Sequence, residues 1–403
     1  MLSNGPMYVV QIGDTIHRIA RKYKIAVHSL LQANPQLALA EQLRAGQMVA
    51  IPPQPPSYYM IQRGDTFHAI AEGMNVSIPD LLEANPGIQP SRLLIGQTIV
   101  IPAGRAFRVV SSHYEYGYQE LEEDLSLLSG QYPFLQLSSI GNSVIGKPLY
   151  AIRIGTGSKE IHYNGGIHAN EWITSLMLMT FLEDYAMAVR HGRLLRGVSA
   201  AKLYEEVSLW VVPMLNPDGT ELVLQGCPPG HPHRERLLEW NGGSQRFQRW
   251  KANIRGVDLN DQFPASWEEE RRRRNASGPG PCHYGGTAPL TEPEAEALVN
   301  FTREHDFASV FAFHTQGREI YWNYRGLEPS HSENAARLLG QASGYRPVKL
   351  TESDAGYKDW FIQEYRRPGF TIESGVGVNP LPLEQFAEMY EDTIGIMVHG
   401  LLV

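Results

Sequence analysis

Two short stretches hold the residue types that metal chemistry needs. Gly166-Ile167-His168-Ala169-Asn170-Glu171 sets a histidine and a carboxylate three residues apart where a strand ends. Phe313-His314-Thr315 sets a second histidine at the end of another apolar strand. Imidazole nitrogen and carboxylate oxygen are both zinc ligands, and two nitrogens with one oxygen leave a fourth position for water. Across a strand-to-helix junction His168 and Glu171 can converge on one point, and a carboxylate in a first helical turn is favoured by the helix dipole. His-x-x-Glu alone is a common accident. A third strand end, Gly369-Phe370-Thr371-Ile372-Glu373-Ser374-Gly375, makes it more specific. A carboxylate leaving an apolar strand into glycine is poor core design but a good position for a base, its pKa raised by burial. The bland account makes all four polar caps or surface residues.

Strand-end residues require a sheet. Tyr150 to Ile154, Ile161 to Asn164, Leu209 to Leu215, Val310 to His314 and Phe370 to Glu373 are short apolar or β-branched runs. Trp172 to Val189 has helical apolar spacing. Thr291-Glu292-Pro293-Glu294 reads as a capping box before a helix reaching about His305, and Leu383 to Met397 supplies a closing helix. The alternation predicts an α/β domain over 108–403, with a mixed or parallel sheet between helices.

Bulk properties narrow the partners. A net charge of -8 gives no reason to expect nucleic acid, which selects basic grooves. The Arg271 to Arg274 run follows Glu268 to Glu270 and reads as a solvated loop. No run of eighteen apolar residues predicts a membrane span, and Met1 to Pro6 lacks the basic-then-apolar pattern of a standard secretory signal. Cys227 and Cys282 are too few for a disulfide scaffold; one bridge and two free thiols are both open.

The first hundred residues are a repeat. Gly13-Asp14-Thr15-Ile16-His17-Arg18-Ile19-Ala20 returns as Gly64-Asp65-Thr66-Phe67-His68-Ala69-Ile70-Ala71, and Leu30-Leu31-Gln32-Ala33-Asn34-Pro35 returns as Leu81-Leu82-Glu83-Ala84-Asn85-Pro86. Each copy then reads Leu-x-x-Gly-Gln and closes at Ile51-Pro52 or Ile101-Pro102. Such a unit reads as strand, helix, helix, strand, with Asp14 or Thr15 capping the first helix. The proline-rich 54–57 is a stiff linker. His17 and His68 recur as inherited framework rather than as ligands. These copies resemble LysM modules, over 7–53 and 58–103, and the resemblance implies binding to N-acetylglucosamine-containing glycans such as peptidoglycan or chitin.

The larger part resembles the zinc carboxypeptidases. The resemblance rests on the His168 and Glu171 motif, Asn216-Pro217-Asp218-Gly219, Gly256-Val257-Asp258-Leu259-Asn260, Phe313-His314-Thr315, Tyr357, and Phe370 to Glu373. It implies a mixed eight-stranded sheet flanked by helices and a zinc metallopeptidase. It implies His168, Glu171 and His314 as Zn2+ ligands, Glu373 as general base, Asn260 as a binder of substrate carboxylate and Tyr357 as a mobile tyrosine over the substrate. The family's oxyanion-stabilising arginine follows a tryptophan; in Arg249-Trp250-Lys251 that place holds lysine, so Lys251 is the first candidate and Arg249 the fallback.

One departure bears on substrate. Typical members have Asn-Arg, the arginine clamping a C-terminal carboxylate, whereas this chain has Asn260-Asp261. A reversed charge repels an ordinary C-terminus and suits the amine of diaminopimelate or lysine. With the glycan modules, the chain resembles bacterial γ-D-glutamyl-meso-diaminopimelate endopeptidases, some associated with sporulation. That implies peptidoglycan glycan strands and stem peptides as partners, no membrane insertion, and action in the cytoplasm or after release to wall or spore. The rival readings are a carboxypeptidase for ordinary peptides and a noncatalytic glycan-binding protein.

Overall fold

In the computed structural model the described residues are 7–10, 16, 19–20, 30–31, 33–37, 43, 46–51, 57–61, 65–67, 70–71, 81–82, 84–90, 93–101, 109–112 and 114–403. The chain divides into two compact units, Met1–Ser111 and Ser112–Val403.

In the first unit each repeat closes on a two-stranded antiparallel pair. Strand β1 (Met7–Val9) pairs with β2 (Met48–Ala50), and β3 (Ser57–Met60) pairs with β4 (Thr98–Ile101). The repeated asparagines explain the closure. Asn34 donates to the Leu30 carbonyl at 2.8 Å and the Ala50 carbonyl at 2.7 Å, and accepts from the Ala50 N–H at 2.7 Å. Asn85 does the same with Leu81 (2.8 Å) and with Val100 (2.6 and 2.7 Å). Each buried amide thus uses both donors and its acceptor to join a helix end to the final strand. The repeated Gly-Gln turns the chain beside the first strand. Val10 N–H donates to Gln47 and Gly46 N–H donates back to Val10, both at 2.8 Å. Gly46 does so at φ +84° and its counterpart Gly96 at +85°, a region that costs glycine little. Val10, Ile19, Leu30 and Val49 form one small core; Ile61, Ile70, Leu81 and Ile99 form the other. Asp14, Thr15, His17 and His68 lie outside the described residues.

The second unit is built on an eight-stranded sheet. Its strands are β5 (Gln136–Asn142), β6 (Pro148–Ile154), β7 (Lys159–Asn164), β10 (Val207–Val212), β11 (Phe307–His314), β12 (Glu319–Tyr321), β13 (Arg346–Val348) and β14 (Gly369–Glu373). A small hairpin, β8 (Leu194–Leu195) with β9 (Val198–Ser199), stands apart. The sheet order is β13-β12-β14-β11-β7-β10-β6-β5. Strands β10, β7, β11 and β14 are mutually parallel, and β6 and β12 flank them antiparallel. The sheet is therefore mixed, as the resemblance implied.

Strand β11 is buried almost throughout, which is why it reads as an unbroken apolar run. Val310 and Ala312 enter a core with Leu298, Tyr357 and Trp360. Phe311 and Phe313 meet Tyr163 edge-on, with ring centres 5.0 and 5.4 Å apart. Each fully buried phenylalanine contributes about 1.5–3 kcal/mol.

Three local expectations change. Strand β10 stops at Val212 instead of Leu215, because Pro213 has no N–H to donate to a ladder. The helix Pro293–Arg303 is capped at Glu292, and Thr291 makes no capping box. Gln262 Oε1 accepts the N–H groups of Thr291 (2.8 Å) and Glu292 (3.0 Å) in its place. The Arg271 to Arg274 run is not a solvated loop: it ends the helix Trp267–Arg274, whose acidic first turn and basic last turn suit the helix dipole. Arg273 pairs with Glu270 and Asp354, and Arg274 with Glu270 and Asp261. Cys227 and Cys282 are free thiols. No helix among the described residues is long and apolar enough to cross a membrane.

Candidate active site

Sheet order does the assembling. From β7 the chain adds β10 on one side and β11 on the other, so the order reverses between β7 and β11. Open α/β sheets bind ligands beyond the carboxyl ends of their strands at such a point. His168 and Glu171 follow β7, His314 ends β11, and Glu373 ends β14 in register with His314.

The loop after β7 is fixed from several sides. Gly166 stands at φ +60°, and a β-carbon there would lie 2.7 Å from Ser175 Oγ and 3.1 Å from the Met214 backbone. The Asn216 amide donates to the Ile167 carbonyl at 3.2 Å and the Ala252 carbonyl at 3.1 Å. Ala169 N–H donates to the Lys251 carbonyl at 3.0 Å. Asn216-Pro217-Asp218-Gly219 therefore ties the histidine loop to the lysine loop, while Asp218 accepts from Ser143 (2.9 Å) and the Ile145 N–H (3.1 Å).

His168, Glu171 and His314 come together and are all buried. His168 Nδ1 lies 3.0 Å from Glu171 Oε1, His314 Nδ1 lies 3.1 Å from Oε2, and the two Nδ1 atoms are 3.2 Å apart. The other lone pairs of the carboxylate are occupied by Asn379 Nδ2 (3.1 Å, to Oε1) and Thr315 N–H (3.2 Å, to Oε2). Behind His168, Asp258 Oδ1 sits 3.2 Å from Nε2. A histidine whose far nitrogen is held by a carboxylate is oriented to offer its near one to a metal. Charge agrees with donor type. Burial works against a charged His168, yet Glu171 and Asp258 carry its pKa up to about 9, so this pocket draws positive charge. Two imidazole nitrogens and a carboxylate, enclosed and convergent, fit zinc.

The neighbours supply acid-base and charge chemistry. Glu373, partly accessible, is pushed up to about 8 by burial and by the Glu171 charge, against the pull of His168 and Lys251. Lys251 Nζ is 3.6 Å from Glu171 Oε1. Burial disfavours its charge, but Glu171, Asp258 and Glu373 outweigh that and raise its pKa. Arg249 is exposed beyond the buried Trp250 and makes no ion pair among the described residues, whereas Lys251 stands beside Glu171. Asn260 is half-buried in the turn Leu259–Asp261, beside Gly356, where a β-carbon would lie 3.6 Å from its Oδ1.

Two expectations fail. Tyr357 is fully buried, bonded through its hydroxyl to Thr302 Oγ1 at 2.8 Å and packed on Phe263 and Trp360. It opens the helix Tyr357–Tyr365 as a core residue and cannot reach over a substrate. Asp261 is not a free negative charge: Arg274 Nε lies 3.1 Å from its Oδ2. Asp258 and Asn379 are the residues that reading the chain missed. Asp258 stood inside a recognised motif without a role, whereas Asn379 had no local signal.

The zinc carboxypeptidase family profile matches residues 121–394, and the LysM domain profile matches 8–52 and 59–102. The γ-D-glutamyl-L-diamino acid endopeptidase 1 of Lysinibacillus sphaericus is 47% identical over 397 residues, 98% of this chain and 99% of that one. The uncharacterized protein YqgT of Bacillus subtilis is 39% identical over 290 residues, 71% of this chain and 77% of that one. Among solved structures, bovine thrombin-activatable fibrinolysis inhibitor superposes with a TM-score of 0.57 at 19% identity, covering 72% of this chain and 97% of that one, a likeness of fold. The chain belongs to the zinc carboxypeptidase family, with two LysM domains before the catalytic part. It is a metallopeptidase whose cofactor is zinc.

Proposed function

We propose that this chain hydrolyses the amide bond between γ-D-glutamate and a diamino acid in peptidoglycan stem peptides, while its LysM domains hold the glycan strand. One observation carries the reading. Likeness to the Lysinibacillus sphaericus endopeptidase runs through modules and catalytic part alike, at 47% identity over 98% of this chain. Glycan-binding modules raise the local concentration of a polymer whose individual peptides are weakly held. Such a substrate is met in the wall or the spore, or in the cytoplasm where wall fragments are recycled.

Bound zinc supplies a Lewis acid for the scissile carbonyl and acidifies the attacking water. The chain's own groups do the rest. His168, Glu171 and His314 hold the ion, with Asp258 orienting His168 and Asn379 and the Thr315 N–H orienting Glu171. Glu373 takes a proton from the attacking water and hands it to the leaving amine. Lys251 balances the charge that develops on the former carbonyl oxygen. Asn260 contacts the polar part of the leaving residue.

Mass spectrometry of purified muropeptides after digestion, with and without chelator, tests this. The expected result is metal-dependent release of the fragment that begins with the diamino acid. Removal of C-terminal residues from acylated peptides, with muropeptides left intact, would replace the reading with an ordinary carboxypeptidase. Glycan binding with neither hydrolysis nor metal uptake would leave a noncatalytic binder.

A further inference from the structure

Two buried glutamates take no part in the chemistry above. Glu292 caps the helix Pro293–Arg303 and Glu294 stands in its first turn. Both face the amide of Asn253, which is itself fully buried. Asn253 Nδ2 donates to Glu292 Oε2 at 2.7 Å and to Glu294 Oε2 at 3.3 Å. Glu294 Oε1 accepts the Val144 N–H at 3.1 Å. Arg255 Nη1 stands 3.6 Å from Glu292, whereas Glu294 has no cationic partner among the described residues. Burial pushes the Glu294 pKa up to about 7, with the charges of Asp218 and Glu292 adding to it and the N–H groups of Val144 and of Glu294 itself opposing. An acid enclosed without a cation is a costly way to accept two hydrogen bonds.

Asn253 in turn closes the segment that carries Lys251. Its Oδ1 accepts the N–H groups of Arg255 (2.9 Å) and Val257 (3.1 Å), and its own N–H donates to the Val257 carbonyl at 2.8 Å. Its carbonyl accepts the indole N–H of Trp250 at 3.1 Å. That last bond spans Lys251. Trp250, Ala252 and Asn253 are all buried, so the lysine alone of the four reaches outward, its side chain 31% exposed and Nζ 3.6 Å from Glu171 Oε1. Asp258, beyond the same loop, has holders of its own: its N–H donates to the Tyr284 carbonyl at 2.8 Å and its Oδ2 accepts the His283 N–H at 3.0 Å. The clamp on Asn253 therefore bears on the lysine more than on the aspartate.

Resting on the proposed part of Lys251 at the carbonyl oxygen, we propose that Glu294 is a positioning residue: with Glu292 it holds the Asn253 amide, and the Asn253 turn holds Lys251 where the oxyanion develops. Lysine is a point charge on a flexible stem, so its effect depends on how firmly the base of that stem is fixed. A misplacement of about 1 Å can cost on the order of 10²-fold in rate. None of the bonds of Glu294 reaches a zinc ligand; it acts through the turn.

The test is a double-mutant cycle in the full zinc-loaded chain. It uses whichever amide the unaltered protein hydrolyses, muropeptide or acylated C-terminal residue, so that the outcome does not depend on which bond is cut. Glu294→Ala lowers kcat about tenfold, the usual worth of a charge-assisted contact, with KM within about twofold and zinc content unchanged. Glu294→Gln, which can still accept from Asn253 but not also from Val144, loses about threefold and serves if the alanine variant does not fold. In a Lys251→Ala background each substitution costs less than about twofold, because the group it places is gone. Asn253→Ala matches Glu294→Ala and does not add to it. Equal losses with and without Lys251 would make Glu294 a structural residue only, and a fall in zinc content in place of kcat would route its effect through Asp258 and His168; either overturns the assignment while leaving the role of Lys251 intact. An undiminished kcat in Lys251→Ala sinks both.

Discussion

Two buried polar clusters in this chain are finished in opposite ways. Asn85, in the second LysM domain, gives both amide hydrogens to carbonyls and receives one N–H, all at 2.6–2.8 Å. The cluster of His168, Glu171 and His314 is equally buried but converges on a common point, with two ring nitrogens 3.2 Å apart beside a carboxylate. A polar group that closes its bonds inside the fold stabilises that fold; one whose lone pairs meet without enough protons is built for something that arrives. The surroundings repeat the contrast. Asn85 needs only its own module, whereas Glu171 draws on Thr315 and Asn379 and His168 on Asp258, residues from three separate loops.

If that contrast is right, the largest effects come from the open cluster. His314→Ala or chelation should abolish hydrolysis, with metal content measured alongside activity. Glu373→Gln should keep the metal and lower kcat about 10²–10⁴-fold, the range for a lost general base. The pH profile gives the sign. Activity needs the ionised carboxylate, so it is lost as pH falls through the Glu373 pKa. The protein groups alone set that pKa at about 8, through burial and the Glu171 charge, and a bound cation moves it down. The acid limb of kcat/KM should therefore lie below pH 8 and vanish in Glu373→Gln. Lys251→Ala should cost about 10²–10³-fold in kcat, with Lys251→Arg recovering part. Asp258→Asn should weaken metal affinity or activity about 10–100-fold; no change in either would mean that the His168 contact is incidental.

His314 and Glu373 were legible because each ends an apolar strand, and His168 and Glu171 because they follow β7 within a few residues, where sequence pattern and chemistry coincide. The repeated asparagines were visible as a repeat, but their bonds to Ala50 and Val100 span sixteen and fifteen residues and follow from strand pairing. Arg274 was hidden in a charge run that looked solvated, since pairing with Asp261 depends on where a helix lands. Tyr357 shows the opposite error: glycine beside an aromatic resembles a mobile loop, yet Gly356 starts a helix and the ring lies in the core. Periodicity reports which face is apolar, and says little about which loop covers another.

His162 offers a smaller test of a polar group enclosed by the fold. It is fully buried, with Nδ1 3.3 Å from the Trp210 carbonyl and Nε2 3.2 Å from Asn164 Nδ2, an arrangement that suits the neutral ring with its proton on Nδ1. Burial pushes its pKa down to about 3. An unfolded chain protonates this ring near pH 6.5. Stability is thus fully present above about 6.5 and is lost as pH falls toward 3, by up to about 1.4 kcal/mol per pH unit from this one residue. Denaturant midpoints at pH 7 and pH 5 should show that slope, and His162→Gln should flatten it.

The smallest effect belongs to the closed cluster. Asn85→Ala leaves the Val100 N–H and two carbonyls without their partner, a loss of about 1–3 kcal/mol confined to one module. Amide exchange resolves it locally: Val100 should exchange about tenfold faster or more, while Ala50, whose N–H is held by Asn34, keeps its rate. Asn34→Ala should give the mirror result. Hydrolysis of a soluble peptide substrate should stay unchanged in both, because each asparagine makes its bonds within its own repeat. Loss of protection at both amides from a single substitution would show that the two modules unfold together, and the contrast between a locally closed group and an open site would then need a larger unit than one repeat.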